Sequence, residues 1–396
     1  MSQEGHLWKV ADLFSCGGGT SAGFARQPKF RVVGALDFEI AKPSGGPGIS
    51  ECNATYEANH GLRPLCEDIT TFAPEEFARS FGITSDLSVL ISCAPCTDFS
   101  RAKPQNHIYD GATNQLVGRG IDYVENLKPE LFFLENAREL ISGKFNHHHA
   151  ELCGRLELLG YEVRSEVHRL DRFGLPQIRE RALIIASRIG SPKTLGDLWH
   201  GWTLDPVAVT VRSALTRLQT WLSDHPADST GCVSPKTGRA VTRRIMVTPR
   251  DGGSWLDVAR SEETRHLLPP ACLRRWESGQ VGSHPDVYGR MAWDRPAPTI
   301  KRECGHVGNG RYTHPVKNRL LTVREMATLQ GFPFDYQFPA RSIANRYRHV
   351  GDAVPPLIAW QMACLAEWMK TGRKPEVEKL VMPTTSLQIS DLRKVR

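Results

Sequence analysis

The stretch LWKVADLFSCGGGTSAGFAR, residues 7–26, decides the fold, because an apolar run leads through a glycine-rich turn into a short helical pattern. A second apolar run, FRVVGAL at residues 30–36, ends at Asp37. Further candidates for buried strands stand at residues 87–92, 131–134 and 182–186. Strands that alternate with helical patterns are typical of a mostly parallel, doubly wound sheet. The predicted fold class is therefore α/β.

The composition is that of an ordinary globular chain. Its 396 residues exceed the ~250–300 that one hydrophobic core normally serves, which predicts two domains. Apolar residues make up 40% and charged residues 23%, which excludes collagen-like, coiled-coil and largely disordered chains. No apolar run approaches the ~18 residues of a membrane span, and the N-terminus lacks a signal-peptide pattern. We therefore expect a cytoplasmic protein.

Charge and metal-ligating residues narrow the classes of function. The net charge of +7 is compatible with a polyanionic partner. Of the ten cysteines only Cys93 and Cys96 have CxxC spacing, and no second pair follows, which argues against structural zinc. Three consecutive histidines, His147 to His149, suggest a metal, but adjacent residues on a helix point in different directions. We interpret them as a solvated run and predict no metal site.

The pattern of alternating strands and helices breaks near residue 190. Residues 190–320 are rich in Pro, Gly, Trp and Arg without a sustained period, which predicts a smaller irregular domain. We expect a first domain over 1–190 that 345–370 completes, and a second domain over 191–335. The polar tail, 371–396, is predicted to be poorly ordered.

Candidate binding and catalytic residues follow the predicted strands. Ligands of doubly wound sheets bind at these strand ends. The glycine turn at residues 17–19 would bring backbone close to a ligand, and Asp37 follows about 20 residues later, as in ribose-binding nucleotide sites. GxGxxG itself is absent, and a glycine turn can simply pack a helix on a sheet. Phe38 could stack on an adenine or belong to the core.

Cys96 follows Pro95 at the end of a predicted strand. This setting is expected to lower the pKa of its thiol below the free value of ~8.5 and so to favour the thiolate. A buried structural cysteine is the alternative. Glu135 directly follows the apolar run LFFL, where burial would let it keep a proton and donate it to a ring nitrogen.

A third polar group stands on one face of an extended segment. Gln177, Arg179 and Arg181 alternate along the chain and could hold a carbonyl or phosphates, with salt bridges as the alternative.

These segments, in this order, resemble the DNA cytosine-5 methyltransferase family. The resemblance covers nearly the whole chain outside residues 190–310 and the tail. Its motifs are Asp12-Leu13-Phe14 with the glycine turn, Asp37-Phe38, Asp68-Ile69, Pro95-Cys96 with Phe99-Ser100, Glu135-Asn136-Ala137, Gln177-x-Arg179-x-Arg181, the segment 319–333, and the segment 351–356. The chain departs from the family pattern at Cys16, usually glycine, at Thr97, usually glutamine, at Asp352, usually asparagine, and in an inserted loop at 42–53.

The resemblance implies a Rossmann-like methyltransferase sheet, formed by residues 1–190, and a target-recognition domain in residues 191–335. It implies S-adenosylmethionine as the cofactor. The residues implied to bind this cofactor are Asp12, Phe14, Gly17, Gly18, Gly19, Asp37, Phe38, Asp68, Ile69, Pro95, Leu116, Asp352 and Ala353.

The resemblance also implies the reaction. The Cys96 thiolate would add to C6 of a flipped-out cytosine, and Glu135 would contact N3. Arg181 with Arg179 would hold the O2 side or order the loop. C5 would take the methyl group, and loss of the C5 proton and of the cysteine would release 5-methylcytosine.

Duplex DNA is the implied partner. Between residues 232 and 250 there is no acidic residue, and arginines there suit phosphate and groove contacts, although a basic run is often only a solvated face. The predicted DNA-binding residues are Gln177, Arg239, Arg243, Arg244 and Arg250. We expect a monomer on DNA without a membrane partner, and a cognate restriction or phage-defence protein is a candidate partner.

Three rival functions stay open at this point. A transfer-RNA cytosine-5 methyltransferase would share the motifs of the first domain, but the Cys-Phe-Thr tripeptide of the RNA-acting relatives is absent. A catalytically silent relative would bind DNA without forming product. An oxidoreductase would use Cys93 and Cys96 as a redox pair.

Overall fold

The computed structural model describes residues 7–40, 46–95, 110–225, 249–279 and 286–395. Within these residues, a central sheet of six strands organises the first half of the chain. The strands are β1 (Trp8–Leu13), β2 (Phe30–Leu36), β3 (Leu87–Ser92), β4 (Leu131–Ala137), β5 (Glu162–Arg169) and β6 (Glu180–Ser187). Their order is β2-β1-β3-β4-β6-β5, and only β6 runs against its neighbours. The predicted α/β fold with a mostly parallel sheet is confirmed.

Residues of β3 and β4 contribute to two cores, one on each face of the sheet. In β4, Leu131 and Phe133 belong to the core on one face, whereas Phe132 and Leu134 belong to the core on the other. All six residues of β3 are buried, as expected for a parallel strand that helices cover on both faces. This double burial explains why the strands have continuous apolar runs and no polar alternation.

The helices form the two outer layers and the second half of the molecule. They are α1 (Gly19–Ala25), α2 (Cys52–His60), α3 (Pro74–Phe81), α4 (Ala112–Leu127), α5 (Glu139–Ser142), α6 (His147–Leu158), α7 (Leu195–Leu198), α8 (Val211–Asp224), α9 (Trp255–Arg260), α10 (Glu262–Arg265), α11 (Pro270–Glu277), α12 (Val323–Leu329), α13 (Ile343–Asp352) and α14 (Pro356–Thr371). Helices α1 and α14 cover one face of the sheet, and α3, α4 and α6 cover the other. A Cβ at Gly23 would lie 2.2 Å from the backbone N of Trp360, so only glycine permits this close packing of α1 on α14.

A third core lies between α8, α12 and α13, around Leu215, Tyr312 and Phe332. A smaller cluster around Trp255 joins α9 to α11. The predicted boundary at residue 190 differs from this arrangement, because Leu195, Leu198 and Trp199 belong to the core of the first domain.

The C-terminal tail is part of the fold, so the prediction that it is poorly ordered is wrong. Val377, Leu380 and Leu387 are buried in the core of the first domain. Strand β8 (Leu392–Lys394) pairs with β7 (Trp202–Leu204), and Asp391 accepts a hydrogen bond of 2.6 Å from Arg217. The apolar residues of this tail follow neither a helical nor a strand period, so no periodic pattern indicates that the tail is ordered.

Among the described helices, none has the length and apolar character that crossing a membrane requires.

Candidate active site

The ends of four neighbouring strands meet at one edge of the sheet. Leu13 at the end of β1 pairs with Leu36 of β2 and with Ser92 of β3, and Ile91 of β3 pairs with Phe133 of β4. The glycine turn, Asp37, the segment 93–95 and Glu135 therefore lie at a common edge. Cys96 itself lies outside the described residues, and so its placement stays a prediction.

The turn after β1 has an unusual backbone. Phe14, Cys16 and Gly18 adopt left-handed φ values of 58°, 46° and 83°, which glycine tolerates and other residues adopt rarely. A Cβ at Gly18 would lie 2.4 Å from Nε2 of His60, and one at Gly19 would lie 2.6 Å from the backbone O of Val354. Tight packing of protein against protein therefore requires these glycines, whatever ligand the turn also approaches.

Two buried side chains, Tyr336 and His60, contact the backbone of the turn. Tyr336 donates a hydrogen bond of 2.5 Å to the backbone O of Gly17. Nε2 of His60 lies 3.1 Å from the backbone O of Gly18. Desolvation lowers the pKa of His60 to about 4, so this ring is neutral at neutral pH. These contacts join positions that are far apart in the chain, and no local pattern announces them.

Asp37 connects the turn to β2. Its Oδ2 accepts a hydrogen bond of 2.9 Å from the backbone N of Cys16, and its Oδ1 accepts one of 2.7 Å from the backbone N of Glu39. The thiol of Cys52 lies 3.4 Å from Oδ1. Two causes raise the pKa of Cys52 well above its usual value: a hydrogen bond with Cys16, which has the larger effect, and burial. Cys16, a departure from the family pattern, thus has partners of its own.

Asp12 leaves one acceptor available. The residue is fully buried, and its Oδ2 accepts a hydrogen bond of 2.7 Å from Ser21. Its Oδ1 is buried without a hydrogen-bond partner among the described residues. Burial raises the pKa of Asp12 to about 7. Since an unsatisfied buried carboxyl oxygen is costly, this atom fits a site whose occupant supplies a polar hydrogen.

The other residues predicted to bind a cofactor fall into two groups. Those that are at least partly accessible are Phe14, Phe38, Asp68, Pro95 and Leu116. Ile69 and Ala353 are buried, and each offers a backbone O that a side chain already uses. Arg119 donates to Ile69 at 2.8 Å, and Gln330 donates to Ala353 at 2.8 Å. The part of Ile69 and Ala353 in cofactor binding stays a prediction.

Asp352 has a charged partner that the sequence did not reveal. Nη1 of Arg302 lies 2.5 Å from Oδ2 of Asp352, and Nη2 donates a hydrogen bond of 2.8 Å to the backbone O of Ile40. Desolvation, which outweighs the attraction of Arg302, raises the pKa of Asp352 to about 6. Arg302 thus places a guanidinium beside position 352, where the family usually has an asparagine, and two of its nitrogens already contact Asp352 and Ile40.

Glu135 and Arg181 form a buried pair. Arg181 Nε lies 2.8 Å from Glu135 Oε1, and the two side chains are 14% and 9% exposed. Strand β4 extends to Ala137, beyond the apolar run from which we predicted it, because its pairing with β6 continues to Arg181. Asn136 donates a hydrogen bond of 3.0 Å to the backbone O of Ala94. This bond fixes the segment 93–95, which leads to Cys96 and is called the cysteine segment below, relative to Glu135.

Gln177 cannot contact DNA in this structure, which corrects the prediction. It is fully buried, its Nε2 donates to Gln330 Oε1 at 2.7 Å, and its Oε1 accepts from the backbone N of Ile300 at 2.9 Å. Arg179 is also buried and donates to the backbone O of Ile300 at 3.1 Å. Both residues join β6 to the second domain. Alternation along the segment correctly placed them on one face, but that face is internal.

Two further residues bear on the alternatives. Desolvation, with additional repulsion from Glu135 and Asp12, raises the pKa of Cys93 well above its usual value, which makes a redox thiolate unfavourable. Arg250 is 82% exposed and lies 3.5 Å from Asp257, so its guanidinium is accessible to a polyanion. Arg239, Arg243 and Arg244 lie outside the described residues.

Comparisons with known proteins agree with this arrangement. The chain is 29% identical over 350 residues to the type II methylase M.HgiDII of Herpetosiphon aurantiacus, which covers 87% of this chain and 91% of that protein. It is 29% identical over 356 residues to the type II methyltransferase M1.HphI of Haemophilus parahaemolyticus, and this match covers 89% of this chain and 84% of that protein.

Solved structures share the fold. An E. coli prophage protein assigned as a DNA modification methyltransferase superposes with a TM-score of 0.60 at 19% identity and covers 92% of this chain and 100% of its own. The Dnmt2 methyltransferase of S. pombe superposes with a TM-score of 0.55 at 18% identity, and the match covers 91% of this chain and 98% of that chain. A family model described as C-5 cytosine-specific DNA methylase matches residues 8–364, a span that includes the glycine turn, the Glu135–Arg181 pair and most of α14. The chain therefore belongs to the C-5 cytosine-specific DNA methylase family.

Proposed function

We propose that this methylase uses S-adenosylmethionine as its methyl donor and forms a covalent adduct between Cys96 and C6 of a cytosine flipped out of duplex DNA. The observation that carries the proposal is the buried pair of Glu135 and Arg181 beside the start of the cysteine segment. A cytosine ring presents a nitrogen at N3 and a carbonyl at O2 on one edge. A carboxyl group and a guanidinium 2.8 Å apart suit that edge.

The cofactor pocket would be formed by the turn after β1, Asp37, Phe38 and Asp68. The Oδ1 of Asp12, which has no hydrogen-bond partner among the described residues, suits a ligand with polar hydrogens, and the guanidinium of Arg302 beside Asp352 suits a ligand with a carboxylate. S-adenosylmethionine supplies, when bound, an electrophilic methyl group. The side chains of this chain bind and orient the nucleoside and amino-acid parts of that ligand.

The residues of the chain would make C5 of cytosine reactive. The Cys96 thiolate adds to C6, so that the C5–C6 double bond is lost and C5 becomes nucleophilic. In the complex with cytosine, a protonated Glu135 donates its hydrogen to N3 and so stabilises the negative charge that develops there, while Arg181 donates to O2. After C5 has taken the methyl group, loss of its proton restores the double bond and expels the Cys96 thiolate.

Arg179 and Gln177 have a positioning role in this scheme. Both bind Ile300, Arg179 through the backbone O and Gln177 through the backbone N. They keep β6, and with it Arg181, in place relative to the second domain. Neither residue needs to contact the substrate.

The second domain would bind DNA. Arg250 is exposed there, as are Arg274 and Arg275 on α11. We propose phosphate contacts for Arg250 and for the basic residues Arg239, Arg243 and Arg244. Base flipping costs a few kcal/mol, and such phosphate contacts help to offset that cost. The type II relatives favour a restriction-modification setting. We propose in addition that the chain acts as a monomer on a specific DNA sequence.

Transfer of a labelled methyl group from S-adenosylmethionine tests the proposal directly. Duplex DNA from a host without cytosine methylation is offered beside transfer RNA, and Cys96→Ser serves as the control. We expect incorporation into DNA alone, at cytosine C5 within a specific sequence that bisulfite sequencing identifies. Incorporation into transfer RNA but not into DNA, or full activity of the Cys96→Ser variant, would overturn the proposal.

A further inference from the structure

Three side chains of types that bind metals, Asp110, His147 and His148, meet where α4 and α6 begin. Nε2 of His147 lies 3.1 Å from Oδ2 of Asp110. Nε2 of His148 lies 2.8 Å from Oδ1 and 3.0 Å from Oδ2 of the same carboxylate. One potential ligand atom from each residue lies within 4.8 Å of the others.

The two histidines converge although they are consecutive, so the expectation that they point apart is wrong for this pair. His147 is the first residue of α6. The rings of His147 and His148 lie 4.2 Å apart with an interplanar angle of 36°. His149 follows the rule, since its Nε2 lies 2.9 Å from Oγ of Ser165 on β5.

We propose that Asp110, His147 and His148 bind a divalent transition-metal ion such as Zn²⁺. Two imidazoles and one carboxylate form a ligand set that Zn²⁺ accepts, with water in the fourth position. Bonds of ~2.0–2.2 Å in tetrahedral geometry place neighbouring ligand atoms about 3.3 Å apart. The distances of 2.8–3.1 Å between the Asp110 oxygens and the two Nε2 atoms need only small adjustments to reach that value.

The surroundings suit capture of an ion from solvent. The side chains of Asp110, His147 and His148 are 35%, 57% and 12% exposed, so the site is open on one side and supported on the other. Asn114 donates a hydrogen bond of 2.8 Å to Oδ1 of Asp110. This contact orients the carboxylate in the way that outer-sphere partners orient metal ligands.

The ion would have a structural role. Asp110 lies just before α4, and the histidines begin α6, so the metal ties together the N-terminal ends of two packed helices. Further along, Arg155 on α6 already pairs with Asp122 and Glu125 on α4, at 2.9 and 2.7 Å. The metal would add a second connection at the other end of the helix pair.

Calorimetric titration with Zn²⁺ tests the proposal on the full chain after treatment with a chelator. We expect one equivalent to bind, and we expect the double variant His147→Gln, His148→Gln to bind it more than ~100-fold more weakly, because changes outside the ligand sphere alone cost 10–100-fold. His149→Gln, on the same helix, is the matched control and should bind as the parent does. Zn²⁺ should raise the melting temperature of the parent but not that of the double variant.

Titration with Co²⁺ separates this site from the cysteines of the chain. Binding at Asp110 and the histidines produces no thiolate-to-metal charge-transfer band, whereas binding at cysteine does. The isosteric variant Asp110→Asn should also lose the ion, and far-ultraviolet circular dichroism checks that each variant is folded. Absence of tight binding in the parent, retention of the ion in the double variant, an equal loss in His149→Gln or a charge-transfer band would each overturn the proposal, leaving these side chains as hydrogen-bonded partners only.

Discussion

Replacing Arg181 by alanine removes the partner of a carboxylate that is buried at the end of β4. The Glu135 side chain is 9% exposed and Arg181 Nε lies 2.8 Å from its Oε1. Removing one member of a buried ion pair leaves the other uncompensated, which costs about 3–5 kcal/mol. We therefore expect the free energy of unfolding of Arg181→Ala to fall by that amount.

The preceding residue in the chain offers a matched control. Glu180 pairs with Arg138 at 2.6 Å, but these side chains are 38% and 45% exposed. Exposed pairs contribute about 0–1 kcal/mol, so Arg138→Ala should change the free energy of unfolding by no more than that. Urea denaturation followed by circular dichroism measures both variants under the same conditions.

A double variant separates the electrostatic explanation from simple loss of packing. Adding Glu135→Gln to Arg181→Ala removes the uncompensated charge, so it should restore much of the lost stability. It should not restore methyl transfer, which we expect to fall at least 10²–10³-fold because a donor to the reacting base is lost. Equal stabilities of Arg181→Ala and Arg138→Ala, or no recovery in the double variant, would refute the reasoning.

Four further predictions concern Cys96, Asp37, His60 and the basic pair Arg243 and Arg244. Cys96→Ser should abolish methyl transfer and spare S-adenosylmethionine binding, which single-turnover assays and calorimetry measure; retained turnover would exclude the nucleophile role. Asp37→Ala should weaken cofactor binding more than DNA binding, and an unchanged cofactor affinity in calorimetry would remove Asp37 from the pocket. The pKa of His60 is lowered to about 4, so its stabilising contribution is complete above pH ~6.5 and is lost as pH falls toward 4, by up to ~1.4 kcal/mol per pH unit. His60→Gln should flatten the pH dependence of urea denaturation in that window, and an unaltered slope would contradict the buried neutral ring. Replacing Arg243 and Arg244 by alanine should reduce the dependence of DNA affinity on salt, whereas an identical slope would place them away from the phosphates.

The sequence predicted those parts of the fold in which one local pattern decides the outcome. Parallel strands buried on both faces have continuous apolar runs, and β1 to β4 were found from such runs. Because parallel strands end at the same edge, the proximity of the glycine turn, Asp37 and Glu135 followed without knowledge of any contact. Order along the chain was sufficient there.

Contacts between distant segments could not be predicted. Arg302 and Asp352 are 50 positions apart, and nothing in either local pattern indicates their pairing. Gln177 looked accessible because alternation assigns residues to a face but does not say which element covers that face. The tail was misjudged for the related reason that its apolar residues are buried by other parts of the chain and not by a regular element.

The two departures from the family pattern in the cofactor region show why a motif must be considered with its partners. Cys16 has the left-handed φ of 46° that favours glycine, yet its backbone N donates to Asp37 and so ties the strained turn to the acid that follows β2. Asp352 lacks the amide donor of asparagine, but Arg302 supplies donors beside it and also holds the backbone of Ile40. In both cases the substituted residue is connected to the predicted pocket by a charge-assisted contact. The two replacements therefore change which atoms form the predicted pocket, but they keep acidic groups and hydrogen-bond donors there. For this reason we expect the chain to bind the methyl donor of its family.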